Sequence, residues 1–206
     1  MMFWRAVRLY NGVLCLIKAE LPEEAAILAR SLFEVSLHLR QLEAEPKNRD
    51  ALVYRWINDS ITEQLGLLKN CVQNEAVAEG NTNLEKRRQQ TAKDFSGLGI
   101  TKPLPFLDTK VSAKRFGWSE DEILFYEWSH ESVHGTEAVW MFAKIGMDDG
   151  TVGLFGKTAN PRALAYITHF AGKSMAQAAE AMFAIMGWTF PSTVREHVAK
   201  IERAFG

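Results

Sequence analysis

Apolar residues recur along most of the chain at intervals of three and four, the period of a helix that buries one face. After Pro22-Glu23-Glu24, a first turn with carboxylates beside the positive end of the helix dipole, Leu28, Leu32, Val35 and Leu39 form one stripe and predict a helix over about residues 22–43. Leu52, Trp56, Ile61, Leu65, Leu68 and Val72 predict a second, from about Asn48 to Ala78, which Gly80-Asn81 ends. The polar stretch Thr82 to Phe95 reads as a further helix, and "SGLGITKPLPFLD" after it as a loop punctuated by Gly and Pro. Ser119-x-x-Glu122 is a capping box that opens the next helix. Asn160-Pro161 caps an Ala- and Met-rich helix reaching about Gly187, and Thr193-x-x-Glu196 starts the last. No segment alternates apolar and polar residues long enough for a strand, and there is no internal repeat. The expected architecture is an all-α, single-domain helical bundle over residues 1–206, with a basic, loop-containing connecting segment at about 81–118.

Composition agrees with a globular domain: 206 residues, 47% hydrophobic and 24% charged. A net charge of −1 gives no global footprint for nucleic acid or an anionic membrane. Cys15 and Cys71 are too few for a disulfide framework or a cysteine-based zinc site and read as core thiols of a cytoplasmic protein. The first twenty residues begin apolar, but Arg5, Arg8, Asn11 and Lys18 interrupt them, so neither a signal peptide nor a membrane span is expected there.

The stretch "SHESVHG" holds His130-Glu131-x-x-His134, the signature of zinc peptidases. On a helix His130 and His134 project from one face, as two imidazoles sharing a metal must, and Glu131 could activate a bound water. The third ligand is missing: Glu137 and Trp140 stand where the extended motif needs Gly and His, and only Glu180 and His169 offer themselves. Two phosphate-loop lookalikes fail. Thr151 stands where the motif ending in Gly156-Lys157-Thr158 needs Gly, and "AGKS" at 171–174 has Ile167 at that position and falls inside a predicted helix.

Glu127, His130, His134 and Glu137 lie within about 80° of one another on a helical projection, on a helix otherwise apolar nearly all round and so expected to be central. A buried stripe of this kind needs hydrogen-bond partners. Arg30, Glu34, His38 and Gln41 gather on the face of the 22–43 helix opposite its leucines, and Arg30 with Glu34 is an i, i+4 pair. Solvation is the plain alternative for that face, but Phe33 and Leu37 flank it.

"EEAAILARSLFEVSLHLRQL" together with "FYEWSHESVHGT" resembles a group of bacterial helical proteins catalogued as a domain of unknown function, over residues 20–145. The resemblance implies that Arg30, Glu34, Tyr126 and His134 are family-type polar residues that meet inside the bundle. In many such proteins a Ser takes the place of His130, which makes the second zinc ligand peculiar to this chain. The group is distantly similar to HEPN-type helical domains, many of them RNases or RNA-binding modules of toxin and antiphage systems. Those nucleases carry Arg-x4 to x6-His, whereas Ser129 stands five residues before His134, and only Arg162 with His169 meets the loosest spacing, on a different helix and without a polar residue after the Arg.

Residues 81–118 hold eight basic residues against three acidic ones, and Lys86, Arg87, Arg88, Lys114 and Arg115 are the candidates for contacts with a phosphate backbone. A solvated connector is the alternative. The favoured reading is a HEPN-like regulatory or defence-associated interaction module in the cytoplasm, with RNA or a protein as partner, no membrane and a homo-oligomer left open. The enzyme alternatives are a HEPN-type RNase and a zinc-dependent hydrolase using His130, Glu131 and His134.

Overall fold

In the computed structural model, described here for residues 1–72, 74–133, 161–193 and 196, every regular element among the described residues is a helix. They are α1 (Met2–Lys18), α2 (Pro22–Ala44), α3 (Arg49–Lys69), α4 (Glu75–Gly97), α5 (Thr109–Arg115), α6 (Glu120–Val133) and α7 (Pro161–Ile185). The chain forms two compact units, residues 1–43 with 108–206, and residues 44–107. Among the described residues no helix is long and apolar enough to cross a membrane.

The larger unit is built round α2. Ala25, Ala29, Leu32, Phe33, Val35, Ser36, Leu37 and Leu39 are all buried, so this helix is covered on more than one side, which its single leucine stripe does not foretell. Leu28 of that stripe lies at its margin, where its side chain fills the space that a Cβ on Gly12 of α1 would need. α1 packs against α7, and its buried residues are Met2, Ala6 and Val13. Phe33 is the hub of an aromatic core: its ring lies 4.6 Å from Trp118, 5.1 Å from Tyr126 and 5.1 Å from Phe170. Phe170 also meets Phe125, so α2, α6, α7 and the turn before α6 share one cluster. On α6, Ile123, Phe125 and Ser129 are buried while Leu124 is exposed, so one side of this helix meets solvent rather than being covered all round.

The smaller unit centres on the α3–α4 hairpin. The expected long helix to Ala78 and its stop at Gly80-Asn81 are corrected: α3 ends at Lys69, and α4 runs through both residues. Two asparagines set the break, Asn70 as the C-cap and Asn74 as an N-cap whose Oδ1 accepts from Val77 N at 3.0 Å. Gly80 is interior because α3 comes close: a Cβ there would stand 3.2 Å from Leu68 Cδ1. Val72, expected in the core, is 87% exposed because the helix has already ended. No residue of α4 is buried, and Tyr54 stacks on Phe95 at 4.7 Å to hold the hairpin together.

The expectation of core thiols is also corrected, since Cys15 and Cys71 are both exposed. Cys15 sits about 200° round α1 from buried Val13, and Cys71 follows the last turn of α3. The loop expected after residue 95 begins at Leu98, and the helix expected from Asn160-Pro161 is α7. The helix expected at Thr193 falls mostly outside the described residues.

Candidate functional site

Arg30 and Glu34 stand one turn apart on α2, and Tyr126 of α6 comes to meet both. Arg30 Nη2 lies 3.1 Å from Glu34 Oε1 and donates to Tyr126 Oη at 3.3 Å. Tyr126 Oη donates in turn to Glu34 Oε1 at 2.8 Å, closing a three-membered ring of polar contacts. The guanidinium carbon also stands 4.9 Å from the centre of the Tyr126 ring. Burial pushes the Tyr126 hydroxyl above its ordinary range; the Arg30 hydrogen bond pulls it down and Glu34 pushes it up again. Tyr126 is therefore a protonated donor at neutral pH and no general base.

The cluster is half-open. The Arg30 side chain is 22% exposed and that of Glu34 37%, because both are long enough to reach from the helix seam towards water. The buried Arg30 Nε finds no hydrogen-bond partner among the described residues. Gln41, on the same face, is buried, and His38 is partly so. Glu127, the next residue after Tyr126, pairs with Lys110 of α5.

His134 and Glu137 lie outside the described residues, and of His130 and Glu131 only the helical backbone is described. Among the described residues no three His, Cys, Asp or Glu side chains gather as a metal centre. Of the two third-ligand candidates, both on α7, His169 is buried and Glu180 partly exposed. Protein dialysed against metal-free buffer is expected to hold far less than one zinc per chain by elemental analysis; one zinc per chain, lost in His134→Ala, would establish the hydrolase reading instead.

A second cluster lay hidden in sequence signals of another kind. Glu122 is 6% exposed and serves as the inner residue of the capping box, accepting from Ser119 N at 2.8 Å and Ser119 Oγ at 3.0 Å. Both of its oxygens also take Lys173 Nζ, each at 2.8 Å, and His169 Nε2 stands 3.6 Å away. Lys173 lies 4.5 Å from the Trp118 ring centre. Trp118 Nε1 donates to Gln177 Oε1 at 3.0 Å, and Gln177 Nε2 to the Phe116 carbonyl at 3.2 Å. Burial alone would raise the Glu122 carboxyl, but Lys173 and Ser119 hold it below its ordinary range. Burial and the charges of Glu122 and Asp121 push Tyr166 up to about 12. The lysine of "AGKS" is thus an ion-pair partner in mid-helix. The signal for this site was the i, i+4 spacing of His169 and Lys173 on α7.

Lys86, Arg87 and Arg88 are exposed on α4, and Lys114 and Arg115 on α5, in different units. Arg88 pairs with Glu85 and Lys114 with Glu120, both at 2.8 Å, while Arg115 stacks 5.5 Å from the Phe116 ring.

These features define an all-helical protein with two interhelical polar clusters. The chain belongs to a family of unknown function, DUF5677, whose model matches residues 1–151. That stretch carries Arg30, Glu34 and Tyr126, whereas α7 with His169 and Lys173 lies beyond it. No curated protein and no solved structure matches the chain.

Proposed function

We propose that this protein is a HEPN-like regulatory or defence-associated interaction module of the cytoplasm that contacts RNA. Arg30, Glu34 and Tyr126, with His134, are its recognition centre, and Lys86, Arg87, Arg88, Lys114 and Arg115 supply non-specific phosphate contacts. The observation that carries this reading is the held guanidinium. Nη2 of Arg30 is fixed by Glu34 and Tyr126, and the Arg30 and Glu34 side chains remain partly open to water. A fixed fork of N–H donors is suited to a phosphate or carboxylate oxygen. The exposure of all five basic side chains supports the phosphate contacts.

Binding of a fluorescein-labelled single-stranded RNA tests it. With five phosphate contacts, affinity is expected to fall about a hundredfold between 50 and 200 mM salt. Neutralising Lys86, Arg87 and Arg88 together is expected to reduce the salt slope by about 2. Arg30→Met is expected to weaken binding about tenfold with a melting temperature close to that of the parent. Binding insensitive to salt would overturn the phosphate contacts, and an Arg30→Met variant that loses stability but not affinity would make the Arg30 cluster a structural tie.

A further inference from the structure

We infer that the outer face of α1 is a second contact site for single-stranded RNA, in which Trp4 stacks on a base and Arg8 and Lys18 hold the backbone. This rests on the proposed RNA contact for the class of ligand and assigns it a surface that the basic segment at 81–118 does not include.

Trp4, Arg8, Asn11, Cys15 and Lys18 are exposed and fall within about 80° of one another round the helix, the side away from Met2, Ala6 and Val13. Trp4 is 69% exposed. A large aromatic ring left in water costs apolar hydration that nothing in the fold recovers. Its neighbours are cations: Arg5 and Arg8 are exposed beside it, and α1 contains no acidic residue at all in a chain whose charges nearly balance as a whole.

Some cations of the chain are neutralised within the fold: Arg30, Arg40, Arg55, Arg88, Lys110, Lys114 and Lys173 each meet a carboxylate. Arg5, Arg8 and Lys18 meet none among the described residues, a state they share with Lys86 and Arg87. A stripe of unpaired positive charge with one open aromatic ring complements a polyanion that carries π-faces. Alternating stacking and phosphate contacts are how single strands are held without sequence preference. From Trp4 to Lys18 the stripe runs about 21 Å along the helix, enough for a few nucleotides.

An anionic membrane is the weaker match to the same charge. A helix that lies in the lipid interface must sink a continuous apolar face, and the apolar face of α1, with Met2, Ala6 and Val13, is already buried within the fold. Trp4 alone remains on the outer side of this stripe.

The test uses the full chain, a labelled 12-nucleotide oligouridylate and, in parallel, phosphatidylserine vesicles. Trp4→Ala is expected to weaken oligonucleotide binding about tenfold, within the range of one lost base stack. Trp4→Phe is expected to keep most of the affinity, and Arg8→Gln to lower the salt slope by about 0.7. Because Trp4 and Arg8 are exposed, circular dichroism and melting should not change. Unchanged affinity in Trp4→Ala, alongside weakened binding when Lys86, Arg87 and Arg88 are neutralised, would overturn the α1 site and leave the proposed function standing. Trp4-dependent capture by vesicles without oligonucleotide binding would overturn it in favour of a lipid surface. A parent chain that binds neither would overturn both proposals.

Discussion

Phe33→Ala is expected to lower the unfolding free energy by about 4 kcal/mol, the usual loss for removing a buried phenyl ring from a well-packed core. Phe33 is wholly buried, and its ring contacts Trp118 from the turn before α6, Tyr126 from α6 and Phe170 from α7. These neighbours sit on three separate segments whose positions are set by other contacts, so they cannot all move in to fill the space. The cavity would persist and add to the lost transfer energy. A loss of this size is a large share of the stability of an ordinary domain. Phe33→Leu should cost much less, about 1 kcal/mol, because it keeps most of the volume. Urea unfolding followed by far-ultraviolet dichroism measures both. A loss below about 1 kcal/mol for the alanine variant would show that the aromatic cluster does not organise the core. Tyr126 rests against the same ring, so Phe33→Ala should also loosen the contact of its hydroxyl with Arg30 and Glu34.

Lys173→Met is expected to cost about 3 kcal/mol at neutral pH. The substitution keeps the length of the side chain and its packing near Trp118 but strands the Glu122 carboxylate, which is nearly inaccessible to water. Ser119 N and Oγ would still donate to it, and those two bonds are what keep the loss from being larger. The pH dependence follows from the sign of the Glu122 shift. Its folded-state value lies below the ordinary 4.5, so the ion pair contributes fully above that pH and the contribution disappears as pH falls through the folded value. In Lys173→Met, burial acts on Glu122 without the amine to oppose it, so the carboxyl takes up a proton at higher pH than in the parent. The stability difference between parent and variant should therefore be largest above about pH 5 and shrink towards pH 3. Combining Lys173→Met with Glu122→Gln should recover part of the loss at neutral pH, since no buried charge is then stranded. Equal losses at pH 3 and pH 7 would mean that packing, rather than the charge pair, holds α6 to α7.

The Arg30 and Glu34 pair was legible because both residues belong to one helix and their spacing alone makes them neighbours. Tyr126 entered through the resemblance of its helix to a family pattern. Its contact with the pair spans more than ninety residues of sequence, a distance over which helical periodicity carries no information. The basic residues of 81–118 were legible as a charge run, but the run is divided between the α3–α4 hairpin unit and the α5 segment of the larger unit. The α1 stripe was read only as an interruption of an apolar segment. Its meaning depends on which face α7 covers, and that is a fact of packing.

By itself the sequence determined the all-helical class, the start of α2 at Pro22 and the capping box at Ser119 and Glu122, because each depends on residues within a turn or two of one another. It also held the α3–α4 break, in the cap at Asn74, although the more conspicuous Gly80 drew the boundary to the wrong place. The tertiary structure alone decided that α2 is covered on more than one side, that Cys15 faces water, and that the capping glutamate doubles as the buried partner of Lys173. A local pattern fixes which side of a helix is apolar. Which helix meets that side, and at what depth, depends on how all the apolar faces are satisfied together, and only the folded chain resolves that competition.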